Sequence, residues 1–141
     1  MAKMEREIRL DAAAARLKAA GLRPTRQRLE LARLLFAAHD RHVTAESLAE
    51  EGARAGVKVS LATVYNTLHQ FQAAGLLRQV VVDASRTYFD TNVGDHQHFF
   101  LENEGLLIDI PGEEISISGV PAAPLGMSVD RVDVVVRVRR Q

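Results

Sequence analysis

His96 and His98, two histidines separated by one residue, are where the spacing first suggests chemistry. In an extended segment, alternation puts both imidazoles on one face, and a pair of imidazoles on one face can ligate a transition metal. A hairpin centred on Asn103-Glu104 would set Asp109 directly across from His98, with the two side chains on a common face. A turn one residue longer, with Gly105 in a bulge, would break that register. Asp90, six residues before His96, offers a second carboxylate, and His42 offers a third imidazole from between two predicted helices. Three imidazoles and two carboxylates form a borderline-to-hard donor set suited to Fe(II), Mn(II) or Zn(II). The same H-x-H pattern also fits an ordinary polar strand. His39 and His69, which have no such companions, read as ordinary polar residues.

Composition narrows the chemistry. The chain has no cysteine, which excludes disulfides, thiolate zinc sites and thiol nucleophiles. With 141 residues, 47% of them hydrophobic, it can bury a core. No apolar run approaches the roughly 20 residues of a spanning helix, and the start MAKMEREIRL is too charged for a signal peptide. A cytoplasmic protein with no membrane partner is expected. The formal net charge is zero, yet residues 1–41 carry ten basic and five acidic side chains, while residues 94–133 carry eight acidic side chains and only Arg131 as a base. Such polarity suits a chain that lays one half on phosphates.

The elements that must position these residues follow from periodicity and caps. Residues 11–20 are Ala-rich and helical, and Gly21-Leu22-Arg23-Pro24-Thr25 stops that helix and caps a second one running to about Ala38. Thr44 caps a third helix, with Glu46 in its first turn and Gly56 beyond its end. Ser60 caps a fourth, whose stripe Leu61, Val64, Leu68 and Phe71 is expected to be buried, and Gly75 ends it. Leu77–Val82 and Thr87–Asp90 then form a hairpin about the turn 83–86. Later strands are expected at His98–Leu101, Leu106–Ile110, Ile115–Ser118 and Val132–Val138. The order predicts an α+β protein: a winged helix over 1–92, then a small α/β domain over 93–141.

With Val64, Leu68 and Phe71 inward, the fourth helix turns Ala62, Asn66, His69 and Ala73 outward, flanked by Thr63, Tyr65 and Gln70. That small, uncharged face fits a major groove, where Asn can pair with adenine and Ala or Thr can touch a thymine methyl. Arg23, Arg26 and Arg28 would contact phosphates or reach a minor groove. The plain alternative is an amphipathic helix with a polar outside.

The run Leu17-Lys18-Ala19-Ala20-Gly21-Leu22-Arg23-Pro24-Thr25-Arg26-Gln27-Arg28, then His42-Val43-Thr44-Ala45-Glu46, then Val59-Ser60-Leu61-Ala62-Thr63-Val64-Tyr65-Asn66-Thr67-Leu68, resembles the ferric uptake regulator superfamily. The resemblance spans about Leu10 to Arg140. It implies a homodimeric transcription regulator with an N-terminal winged helix bound to double-stranded operator DNA, a C-terminal dimerisation domain and a metal-binding hinge. On that basis Ser60, Ala62, Thr63, Tyr65 and Asn66 belong to the reading helix. Tyr65 matches a base-contacting tyrosine and Arg23 a minor-groove basic residue. Asn66 stands where many relatives have arginine.

The family's hinge ligands map onto His42, Asp90, His96, His98 and Asp109, and its third metal site is incomplete, because Gln97 and Ser116 stand where acids are expected. The paired Asp ligands resemble the peroxide-sensing branch, which uses Fe(II) or Mn(II). That branch also carries a structural zinc held by two C-x-x-C pairs, which is missing here, with Leu101 and Glu104 at the first pair. The phrase Gly119-Val120-Pro121-Ala122-Ala123-Pro124-Leu125-Gly126-Met127 and the ending 132–140 look most like the iron response regulators, which answer to haem and control iron and haem metabolism. Their Cys-Pro haem motif is absent, so haem would have to use the His96/His98 region. The rival from another class is a small non-haem iron enzyme using His96 and His98 with Asp90 or Asp109. It would need a substrate pocket that nothing else in the sequence suggests.

Overall fold

A computed structural model describes residues 2–37 and 39–141. The chain divides into two compact units between Val93 and Gly94. The first contains α1 (Ala2–Ala19), α2 (Arg26–Leu35), β1 (His42–Val43), α3 (Ala45–Arg54), α4 (Leu61–Ala73), β2 (Arg78–Asp83) and β3 (Arg86–Asp90). Helices α2, α3 and α4 start on hydroxyl caps, which satisfy amides the helix itself cannot. Thr25 Oγ1 accepts from the Arg28 amide, and Ser60 Oγ from the Thr63 amide. Thr44 and Ser47 form a reciprocal capping box. After α4, Gly75 takes φ 82°, and the Leu76 amide donates back to the Phe71 carbonyl at 2.9 Å. That left-handed turn favours glycine and redirects the chain into the wing.

Leu17, Leu31, Leu35, Leu48, Val64, Leu68 and Phe71 close the helical core, joined by Val43 and Phe89 from the sheet. Arg6 and Arg33 both pair with Glu30, tying α1 to α2 through a residue only 8% exposed. The sheet runs β1-β3-β2, all antiparallel, so β3 is central. Asp83 shapes the β2–β3 turn by accepting from the Ser85 amide and the Arg86 guanidinium.

The second unit contains β4 (His96–Leu101), β5 (Leu106–Pro111), a 3₁₀ turn over Gly112–Glu114, and β6 (Val135–Val138). Its sheet order is β5-β4-β6, with β5 antiparallel and β6 parallel to β4. Gln97 is buried and spends its amide on the incoming chain: Oε1 accepts from the Val134 amide at 2.6 Å and Nε2 donates to the Val132 carbonyl. Gly112 is needed for space, because a Cβ there would lie 2.8 Å from the Asp95 carbonyl oxygen.

Three expectations are corrected. The helix expected over residues 11–20 is present and begins already at Ala2, but the second ends at Leu35 rather than near Ala38, which lies outside the described residues. Ile115–Ser118 is not a strand: among the described residues no neighbouring strand supplies a ladder, and Ser116, Ile117 and Ser118 are exposed. Leu61 is 49% exposed, because the first turn of α4 projects past the core, and Thr67 takes its place in the buried stripe. Among the described residues no helix is long and apolar enough to cross a membrane.

Candidate metal centre and DNA-facing surface

The five expected ligands fall into two groups, one in each unit. In the first unit the β1–β3 ladder pairs His42 with Asp90. His42 Nε2 lies 3.1 Å from Asp90 Oδ2, and the other carboxylate oxygen accepts from the Asn92 amide at 2.9 Å. Asp90 is completely buried at the centre of the sheet. β1 is only two residues long and is steadied from outside. The Arg41 amide donates to Thr91 Oγ1 at 2.9 Å, and the Thr91 amide donates to the Arg41 carbonyl at 3.1 Å. The Arg41 guanidinium makes a bidentate pair with Glu51 of α3, at 2.9 and 2.6 Å. That hydrogen-bonded pairing raises the Arg41 pKa and holds the Glu51 carboxyl below its ordinary value. Composition and periodicity carry no signal for this clamp, since any surface arginine could have made it.

In the second unit His98 pairs with Asp109 across β4 and β5, with Leu101 opposite Leu106. The connection is the four residues between them, centred as a two-residue turn at Asn103-Glu104 would be, so the expected register results. Nε2 of His96 and Nε2 of His98 each lie 3.5 Å from the same atom, Asp109 Oδ1. The imidazole rings sit edge to face with centroids 4.6 Å apart. The histidine side chains are 5% and 1% exposed and that of Asp109 is 43% exposed, so the carboxylate forms the open side.

The donor chemistry fits a cation. His96 Nδ1 lies 2.7 Å from the Gly94 carbonyl oxygen, which can only accept, so Nδ1 carries a proton and, in the neutral ring, Nε2 presents a lone pair. A lone pair facing a carboxylate oxygen is repulsive unless a proton or a cation lies between them. Ligands bound at roughly 2.0–2.2 Å to one tetrahedral ion are about 3.4 Å from one another, close to the spacing seen here. The Gly94 carbonyl thus orients His96 as outer partners commonly orient ligating histidines, a contact that sequence spacing does not reveal. By contrast, Gln97, at the incomplete third site, is already committed to the backbone of residues 132–134.

On α4, Ala62, Tyr65 and Asn66 are exposed and Thr63 is half-buried. Ser60 is engaged as the cap, with its hydroxyl also on Thr63 Oγ1 at 3.0 Å. Arg28 meets this helix: Nε and Nη2 donate to Gln70 Oε1 at 3.2 and 3.0 Å, and Nη1 donates to the Arg23 carbonyl. Thr25, Arg28, Thr63, Asn66 and Gln70 line one hollow of about 320 Å³. Arg23 and Arg26 are exposed, but Arg26 lines a separate hollow with Arg6, Glu30 and Lys58. His69, expected to face outward, is instead half-buried between the Tyr65 and Phe89 rings.

Residues 19–132 match the model of the ferric uptake regulator family. The chain belongs to the ferric uptake regulator family. It is 36% identical over 100 residues to the ferric uptake regulation protein of Pseudomonas aeruginosa, covering 70% of this chain and 75% of that one. It is 32% identical over 103 residues to the peroxide-responsive repressor PerR of Staphylococcus aureus, covering 73% and 69%. The structure of the Pseudomonas aeruginosa ferric uptake regulator with manganese superposes with a TM-score of 0.68 at 30% identity, over 92% of this chain and 98% of that one. The α+β architecture is therefore that of ferric uptake regulators. These relatives are transcriptional regulators rather than enzymes, which sets aside the iron-enzyme rival.

Proposed function

We propose that this ferric uptake regulator family member binds operator DNA as a homodimer in a manner governed by one divalent cation, with His42, Asp90, His96, His98 and Asp109 as its ligands. The observation that carries this reading is the pair of buried imidazoles aimed at one oxygen of Asp109. The residues before Val93 supply the DNA-binding domain and those from Val93 onward the dimerisation domain. A cation held by these residues would supply charge compensation for Asp90 and Asp109, with His42 and Asp90 as its ligands from before residues 91–95 and His96, His98 and Asp109 from after them. The ligands restrict how the winged helix is held, and in a two-fold dimer this sets the spacing of the two reading helices on a palindrome. Tyr65, Asn66, Thr63 and Ala62 face bases, while Ser60, Arg23, Arg26 and Arg28 face the backbone.

Mn(II), Fe(II) and Zn(II) all suit the donors. Two buried histidines directed at one carboxylate oxygen favour a bare cation over haem. Membership of the iron response branch, with control of iron and haem genes, is supported by the absence of cysteine and by the 119–127 and 132–140 phrases. A second reading is a peroxide-sensing repressor, favoured by aspartate at both carboxylate positions and by the Staphylococcus aureus relative. Calorimetric titration of metal-free protein with Mn(II), Zn(II) and haem, alongside a His96→Ala/His98→Ala variant, tests the site. One Mn(II) or Zn(II) per chain, lost in the variant, is expected. Equal binding by the variant refutes the ligand set.

A further inference from the structure

His69, expected on the outward face of α4, turns inward, and its ring links Tyr65 of that helix to the strand that carries Asp90. Its centroid lies 4.5 Å from that of Tyr65, tilted by 60°, and 5.3 Å from that of Phe89, nearly perpendicular at 88°. Phe89 is 1% exposed and packs in the helical core. It directly precedes Asp90 and pairs with Val43, just as Asp90 pairs with His42. The Val43–Phe89 rung and the His42–Asp90 rung are therefore consecutive, with side chains on opposite faces of the sheet. A shift of one rung moves the other.

The second observation is chemical. Nε2 of His69 is buried, and among the described residues it has no hydrogen-bond partner. Such a group is costly and rare in a folded protein, so ring packing holds it in place against the pull of water. Tyr65, packed on the other side of the ring, is itself 49% exposed. A half-buried ring that touches residues of two elements and carries an unsatisfied nitrogen is a packed contact through which those elements can influence one another.

We propose that His69 is a positioning residue that couples the His42–Asp90 rung to Tyr65, setting the Tyr65 ring on α4 according to the state of that rung. The inference rests on the reading that ligation at His42 and Asp90 governs DNA binding. His69→Phe keeps the ring stack and removes the orphan nitrogen, and Phe89→Leu removes the ring on the other side.

The test measures Mn(II) affinity, thermal midpoint and affinity for a duplex selected from a random pool by this protein, with and without saturating Mn(II). The wild type should show an Mn(II)-dependent change in DNA affinity within the usual range of about 5- to 150-fold. His69→Phe should keep its Mn(II) affinity within about twofold, and its thermal midpoint should equal or exceed that of the wild type. Its Mn(II)-dependent change in DNA affinity should shrink to less than about threefold. Phe89→Leu should show the same loss, and it decides the matter if His69→Phe does not fold. A response in the variants equal to that of a responsive wild type overturns the role of His69 alone. A wild type with no Mn(II) response overturns both the regulatory reading and this inference.

Discussion

His98 faces Asp109 directly across β4 and β5, with Nε2 3.5 Å from Oδ1. Asp109 also receives His96 at the same oxygen, so one carboxylate organises two imidazoles. Asp109→Asn retains the shape but removes the charge. Mn(II) affinity should fall by about 100-fold or more, beyond the 10- to 100-fold typical of losing an outer-sphere partner. Calorimetric titration reads this directly, and an affinity within about threefold of wild type would remove Asp109 from the ligand set.

This rung was legible in the sequence up to the turn: alternation sets the shared face, whatever covers the sheet, but only the two-residue turn, rather than one a residue longer at Gly105, puts Asp109 opposite His98. The capped helices were legible for a similar reason, since Thr25, Thr44 and Ser60 act on amides only three residues away. The alternating Ile115–Ser118 segment misled because a strand needs a partner, and partners are set by tertiary structure. The same holds for Arg41–Glu51, Arg28–Gln70 and the inward turn of His69, each of which joins residues from separate elements.

Arg28 and Arg23 should separate by salt dependence. Arg23 is exposed, and Arg23→Ala should reduce the slope of log affinity against log salt by about one. Arg28 is tied to Gln70, so Arg28→Ala should weaken DNA binding chiefly by loosening α2 against α4, with a smaller change in slope. Fluorescence anisotropy across a salt series distinguishes them, and equal slope changes would contradict the distinction.

Asn66→Ala should cost about 1–3 kcal/mol on the preferred duplex and relax selectivity at one base pair, leaving non-specific affinity unchanged. Selection from a random duplex pool with wild type and variant reads both effects. Identical preferences would place Asn66 outside base readout.

The Arg41–Glu51 clamp makes a pH-dependent prediction. The Glu51 carboxyl is held below its ordinary value by its hydrogen bonds from Arg41. The stabilisation is therefore present above the ordinary value near 4.5 and is lost as pH falls through the lower folded-state value. Glu51→Gln should cost about 1 kcal/mol at pH 7, because both side chains of the pair remain partly exposed to solvent. That difference should vanish in strong acid, as thermal melts over a pH series would show. A difference that grows toward low pH would contradict the clamp.

The most direct test of the central claim is DNA affinity as a function of added Mn(II), measured by anisotropy for the wild type and for His96→Ala/His98→Ala on one selected duplex. The wild type is predicted to change its affinity with a midpoint matching its calorimetric Mn(II) affinity, while the variant stays flat. A variant that follows the wild-type curve would contradict the account.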